Sequence, residues 1–447
     1  MRRMENTARR QLTRREVLGL VAAAGIGGLV WPSASAQAQP RAVDPRDRRL
    51  LFVFCAQGGA SIIDSFLPIV DAEVGDPELA ATLNVFPAAQ VEQRPGSNIR
   101  SVKPFDDYLF FKPPVDMGRL IERHGQDMVV VAHEGTTVNH TVGQQRSLNG
   151  NGINRGRTLM EEMALRYGGG LALPSTNMAA DGYLRHGADA SVPNEARHEV
   201  VSTPLLFATG THGYRALAGA PDPALIAQAR AARDRLDQAS VFSRTFAGSP
   251  RLAHYLTSRG LVSSSLEPAN LLDKLLLVDP ATVDPKYGLE PSPLAAELRQ
   301  LFPNMDEDTT QAQIALGFLL AYNGVSTSAV MGLRSDPVLH GSDIVGAPIA
   351  FDYSHTAHPI VQSLMWGRTA ELVDGLIGLL KRYDYLGDPA LGKMWDRSLV
   401  YVATEFGRDK KRPAGNPIWG TGHHLNNGSV MFSPLLNGNA VYGGVDP

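Results

Sequence analysis

One cysteine, Cys55, stands among 447 residues, which excludes an internal disulfide and leaves stability to the packed core. It lies in the apolar run Leu50 to Cys55 and reads as a small buried core residue. The apolar stretch Val17 to Val30 is too short, and too diluted by glycine and alanine, for a membrane span of about 20 residues. Positive charge is not in excess: Lys+Arg 42 against Asp+Glu 45 gives a formal net charge of −3. Without residues 1–36, which hold six arginines and two glutamates, the counts become 42 − 6 = 36 and 45 − 2 = 43, a net −7. An acidic chain is a poor partner for nucleic acid or an anionic membrane surface, where binding rests on neutralising phosphates. Tandem repeats, low-complexity tracts and coiled-coil heptads are absent. So are a GxSxG elbow, a Walker loop, HExxH and a CxxC pair, which sets aside the commonest serine-hydrolase, nucleotide and zinc-protease signatures.

What is present begins with a leader. Arg2, Arg3, Arg9, Arg10, Arg14 and Arg15 make a basic region, Val17 to Val30 an apolar one, and Ala34-Ser35-Ala36 or Ala36-Gln37-Ala38 a small-residue cleavage site. Residues 1–36 therefore read as a signal peptide, with an uncleaved N-terminal anchor as the alternative. Thr13-Arg14-Arg15-Glu16-Val17-Leu18 resembles the bacterial twin-arginine motif, with Val17 in place of its usual phenylalanine. That resemblance implies export of an already folded chain by the twin-arginine translocation machinery, and a periplasmic or secreted location. Residues 37–48 are expected to be a polar linker.

Beyond residue 48, strand and helix signals alternate, which predicts an α/β fold with a mostly parallel sheet flanked by helices. Helices are expected over Asp116–His124, Thr158–Tyr167 and Pro359–Tyr385, and strands at Met128, Pro204–Thr209, Thr327–Leu333 and Leu399. A helical insertion is expected over about 223–322. Several apolar strands run straight into polar loops: Leu50–Cys55 into Gly58-Gly59-Ala60-Ser61 and Asp64, Met128–Ala132 into His133 to Thr137 with His140 just beyond, and Leu399–Ala403 into Thr404 to Arg408. A further cluster, Asp352 to His358, precedes the long helix, and Gly420-Thr421-Gly422-His423-His424 follows the last loop. Open parallel sheets bind ligands at the carboxyl ends of their strands, so these loops are expected to converge on one sheet edge. His355 and His358, three apart, suit either metal ligation or a solvated first helical turn.

Together with the leader, Gly58-Gly59 and Asp64-Ser65-Phe66, Phe351-Asp352 with its histidines, Glu405-Phe406-Gly407-Arg408, Gly420-Thr421 with His423, and Val441 to Gly444 resemble the bacterial domain of unknown function 1501 proteins. These exported proteins are grouped with the alkaline phosphatase and sulfatase superfamily. The resemblance implies an alkaline-phosphatase-like sheet and a hydrolase of phosphate or sulfate esters. A divalent metal, whether zinc, calcium or magnesium, would be held by Asp64, Asp352, His355, His358 and His423. It further implies Ser61, Ser65, Thr136 or Thr137 as nucleophile and Arg408 on the anionic oxygens of a small ester or glycan. Glu405 would be an acceptor for a histidine or the salt-bridge partner of Arg408. The chain departs from the family at Gly422, where an aspartate is usual, and that loss of a carboxylate favours a second reading: an exported binding or assembly protein on a degenerate scaffold.

Overall fold

Leu50–Ala56 (β1) is buried at every position, and such an uninterrupted apolar strand is stable where both faces and both edges are covered. The computed structural model describes residues 42–105, 114–135, 137–152, 154–211, 221–249, 252–253, 256, 271–282, 285–287, 290–333, 350–413, 415–416 and 418–445. The twin-arginine leader and Thr136 lie outside them. The further strands are β2 (Val91–Gln93), β3 (Arg100–Val102), β4 (Met128–Glu134), β5 (Ser175–Asn177), β6 (Glu199–Val200), β7 (Ser328–Leu333), β8 (Ser398–Thr404), β9 (Gly407–Arg408), β10 (His423–His424), β11 (Asn426–Phe432) and β12 (Ala440–Tyr442).

Eight strands form one sheet in the order β12-β4-β11-β8-β1-β7-β5-β6. Every neighbouring pair in it is parallel except those of β11, which runs antiparallel to β4 and β8. The chain is thus an α/β protein built on a mostly parallel sheet. β1 sits between β7 and β8, so the loops that follow β1 and β8 leave the sheet side by side, from Ala56 opposite Thr404.

The helices that matter to the site are α1 (Met117–His124), α2 (His140–Asn149), α3 (Leu159–Tyr167), α4 (Pro223–Ala239), α5 (Ala295–Leu301), α6 (Thr309–Tyr322) and α7 (Ser354–Arg382). Asn139 caps α2 by accepting from Val142 N, and Gly150 ends it in the left-handed conformation. α6 is buried from Thr310 to Ala321 and has no polar face. Each of its buried leucines is worth about 2 kcal/mol by transfer, so this end of the expected helical insertion belongs to the core beneath the sheet. α4 is its opposite: Leu225 and Leu236 are exposed.

α7 buries an apolar stripe at helical spacing, Met365, Leu372, Leu376 and Leu380. Its regular part begins at Pro359, where a missing N–H costs nothing in a first turn. Ala357 (φ −140°, ψ 62°) breaks the helix just before, setting Ser354–Thr356 apart as a separate turn. That break turns His358 inward, where it is fully buried. The helix stops at Arg382, since Tyr383 is extended, three residues short of the expected end.

Two expectations are corrected. Pro204–Thr209 is not a strand: Pro204–Leu206 is a 3-10 turn leading into a short helix, Phe207–Thr211, because a short apolar run carries no period that separates strand from helix. The linker does not extend to residue 48 as a free segment. Val43 N donates to Gly169 O, and Arg397 Nη1 donates to Pro45 O at 2.6 Å. Buried Arg48 also donates to Gly169 O, so backbone acceptors the composition could not reveal hold this stretch to the body.

Candidate metal centre

Gly58 (φ 92°) and Gly59 (φ 80°) turn the chain sharply after β1. A Cβ at Gly58 would overlap the backbone of Asp352, and one at Gly59 the ring of Phe406, so both the left-handed backbone and the close approach demand glycine. Phe351 N donates to Gln57 O at 2.9 Å, which docks the Asp352 turn onto this loop. Arg408 ties the assembly together. Its fully buried guanidinium donates to Gly58 O, to Gly59 O (3.3 Å), Phe351 O (3.1 Å), Thr421 O (3.4 Å) and Asp352 Oδ1 (2.9 Å). Arg408 is therefore not the outward-facing partner of a substrate anion that the sequence suggested. An arginine fork in a crowded turn satisfies buried carbonyls first, since each one left unmet costs about 1–3 kcal/mol.

Asp352 is the hub of the open side. Its Oδ1 lies 3.7 Å from His140 Nε2, 3.2 Å from His355 Nε2 and 3.4 Å from His423 Nε2. Ligand atoms of His140, Asp352 and His423 all fall within 4.8 Å of one another. The other ring nitrogens are engaged behind the site: His140 Nδ1 lies 3.0 Å from Glu405 Oε1, and His423 Nδ1 lies 3.0 Å from Val138 O. Carboxylate and carbonyl oxygens accept, so both Nδ1 atoms carry the proton and both Nε2 lone pairs turn toward Asp352. His355 Nε2 stands 3.3 Å from Arg408 Nη1, which can only donate, and 2.8 Å from His423 Nε2. Two acceptor lone pairs thus face each other, an arrangement a cation or a shared proton relieves.

The same contacts set the charges of the site. Burial pushes the Asp352 carboxyl up, but its contact with His423, the hydrogen bond from Arg408 and the arginine charge bring it down to about 2. His140 is raised, chiefly by its hydrogen bond to Glu405. His355 is lowered by burial and by the charge of Arg408, which keeps its imidazole in the neutral form that ligates. Glu405 is buried and also accepts from Gly58 N at 2.5 Å. Its role is thereby that of acceptor for a histidine. The ion pair of Arg408 goes to Asp352 instead. Glu405 Oε2 is buried without a partner among the described residues.

The structure divides the expected ligands. Asp352, His355 and His423 meet at the open hub, whereas Asp64 and His358 form a buried couple of their own, with Nε2 2.9 Å from Oδ2. Asn84 Nδ2 donates to both oxygens of Asp64 at 3.0 Å. Burial pushes the Asp64 carboxyl up, but its pairing with His358, with hydrogen bonds from Ser61 and Asn84, holds it below the usual carboxylate value. Of the expected nucleophiles, Ser61 and Ser65 are buried, and the Ser65 hydroxyl lies 3.2 Å from the carbonyls of Ser61 and Ile62. Thr137 Oγ1 accepts from Asn139 N at 3.1 Å. Thr136 lies outside the described residues. At Gly422 a Cβ would meet nothing within 4 Å, so the position is open to a larger residue.

His140 was placed beside the β4 loop but not among the ligands, and Asn84 escaped the sequence reading. His140 begins a helix six residues after β4 ends (Asn139 being its cap), and a capped histidine following a strand was the available signal. Asn84 carried none: it is brought to Asp64 by the basic run, through Asn84 N to Lys410 O (2.6 Å) and Arg412 N to Thr82 O (2.7 Å). Comparison with protein-family models, curated proteins and solved structures finds no match to this chain. Among the described residues no helix is long and apolar enough to cross a membrane.

Proposed function

We propose that the chain is an exported metal-dependent hydrolase of phosphate or sulfate esters on an alkaline-phosphatase-like scaffold, periplasmic or secreted and delivered by the twin-arginine machinery. The observation that carries the metal reading is the pair of imidazoles, His140 and His423, each held by an acceptor behind it so that its Nε2 faces Asp352. Such outer acceptors are what fix a ligating histidine. Two imidazoles and a carboxylate, with His355 beside them, suit zinc better than calcium or magnesium, which prefer all-oxygen sets. A bound zinc would supply Lewis acidity at an ester oxygen and a lowered pKa for a nucleophile. The chain's own part is to hold Asp352 ionised through Arg408, to orient His140 through Glu405, and to leave one side open for a small anionic ester. The sequence likeness to the domain of unknown function 1501 proteins supports the scaffold and the export route.

A second reading, a metal-binding or assembly protein without hydrolysis, is favoured by Gly422 and by the burial of Ser61 and Ser65. Zinc content after dialysis, together with hydrolysis of p-nitrophenyl phosphate and p-nitrophenyl sulfate, separates the two. One tightly held zinc with ester turnover is the expected result. Zinc without turnover on either ester selects the second reading, and a folded protein that takes up no divalent metal overturns the metal centre itself.

A further inference from the structure

The buried couple beneath the metal centre is longer than two residues. His358 Nε2 lies 2.9 Å from Asp64 Oδ2, and on the far side of the ring Nδ1 lies 3.2 Å from Thr421 Oγ1. Both oxygens of the Asp64 carboxylate accept from Asn84 Nδ2. With the carboxylate an acceptor, the imidazole proton sits on Nε2, and Nδ1 is left with a lone pair aimed at a hydroxyl. We infer that Thr421, His358 and Asp64 form a nucleophile–base–orienter relay, with Thr421 Oγ1 as the nucleophile for a phosphoryl or sulfonyl donor.

The placement is over-determined. Thr421 N donates to Ser354 O at 2.8 Å, and Thr421 O accepts from Arg408, so the residue is fixed through both of its peptide groups. His358 is held in turn by its own amide on Trp419 O at 2.7 Å and by the Trp419 ring, 4.7 Å from the imidazole. The break at Ala357 is what lets one segment present His355 to the open hub and His358 to the interior. Gly422, next to Thr421, opens onto free space, and His423 two residues on belongs to the hub. Ser65 and Thr137 have no comparable partner: the first is spent on carbonyls and the second on an amide.

In the transfer step the Thr421 oxygen forms a bond to sulfur or phosphorus, its proton passes to His358 Nδ1, and the bond to the leaving group breaks with the electron pair on that group. Asp64 stabilises the imidazolium without taking the proton. The natural substrate class rests on the hydrolase reading above, but the activated hydroxyl does not, so it is tested without metal. Methanesulfonyl fluoride is small enough for a nearly buried threonine, and its S–F bond releases fluoride as the S–O bond forms. The full chain in excess chelator is treated with this reagent and the adduct mapped by peptide mass spectrometry, each variant being checked for native thermal unfolding.

The expected result is one sulfonyl group on Thr421, none in Thr421→Val, retention in Thr421→Ser, and labelling slowed at least about a hundredfold in Asp64→Asn, the scale of positioned general-base catalysis. Thr421→Ser changes only a methyl group and keeps the comparison usable if Asp64→Asn proves unstable. Absence of label on Thr421 in folded protein, label at another residue only, or a rate indifferent to Asp64→Asn in folded protein overturns the relay. Labelled Thr421 in a protein that hydrolyses neither ester leaves the relay standing and removes the hydrolase reading.

Discussion

Two clusters of the same residue types, joined in sequence only where His355 and His358 lie three residues apart, face opposite conditions. At the open hub, Asp352 with His140, His355 and His423 is a quarter to nearly half exposed in most side chains (26%, 32% and 44% for Asp352, His140 and His355). In the interior, Asp64 and His358 are 4% and 0% exposed. The buried pair is closed: every donor has an acceptor, and the imidazole bonds to the carboxylate directly. The open one is unfinished: acceptor lone pairs point at one another. Low dielectric forces charges to pair within the protein, whereas at the surface a site can keep ligand capacity for an ion. The same Asp-and-His vocabulary thus yields a hydrogen-bonded couple, the proposed relay, in one place and a candidate ion site in the other.

The sharpest way to break this comparison is to remove the inner carboxylate. Asp64→Ala leaves the buried His358 and Asn84 without their acceptor and is expected to lower stability by about 3–5 kcal/mol, the usual penalty for orphaning half of a buried pair, as read by urea unfolding. Because Asp64 is held below its ordinary value of 3.8 in the folded chain, its contribution is present above that pH and is lost as pH falls through the lower folded value. Wild type should therefore lose stability on acidification below about pH 4 more steeply than Asp64→Ala. Equal stability of the two at neutral pH would erase the distinction between the clusters.

At the hub the effect should appear in metal binding. Asp352→Asn keeps an acceptor for Arg408 but removes the negative charge, and zinc affinity is expected to fall about a hundredfold or more, measured by competition with a chromophoric chelator on protein shown to be folded by urea unfolding, since the buried guanidinium also loses its counter-charge. Glu405→Gln leaves the hub residues intact and loosens only the hold on His140. A loss of about ten- to a hundredfold is expected from such outer partners. The smallest effect is a gain. Gly422→Asp fits without overlap and adds a carboxylate beside His423, which should tighten zinc on the order of tenfold through the added ligand charge. If the aspartate variant binds no better than wild type, Gly422 lies away from the ion and the family resemblance carries no weight at that position.

Legibility was greatest where a single segment contained its own explanation. The buried strand Leu50–Ala56, the stripe of α7 and the glycines after β1 are visible in sequence, because periodicity and backbone freedom are local properties. The loops after β1 and β8, and the Asp352 turn, could be expected on one sheet edge because parallel strands put their carboxyl ends together. Pro204–Thr209 was not legible, since six residues give no period, and neither was the tie-down of residues 42–48 by distant carbonyls.

What tertiary structure alone decided is which way each polar side chain faces. Arg408 reads in sequence as a substrate partner, yet the carbonyls of Gly58, Gly59, Phe351 and Thr421 surround it and claim its donors. His355 and His358 read as one spacing, yet a single non-helical residue, Ala357, sends them to different sides. His140, Asn84 and Thr421 became site residues only when distant segments closed around Asp352 and Asp64. The sequence by itself determined the strands β1, β4, β7 and β8, the alternation and the supply of imidazoles and carboxylates, all of which are set by short-range pattern. Burial and hydrogen-bond satisfaction assigned the roles, because both depend on neighbours up to several hundred residues away, such as Gly58 and Glu405, which lie 347 positions apart.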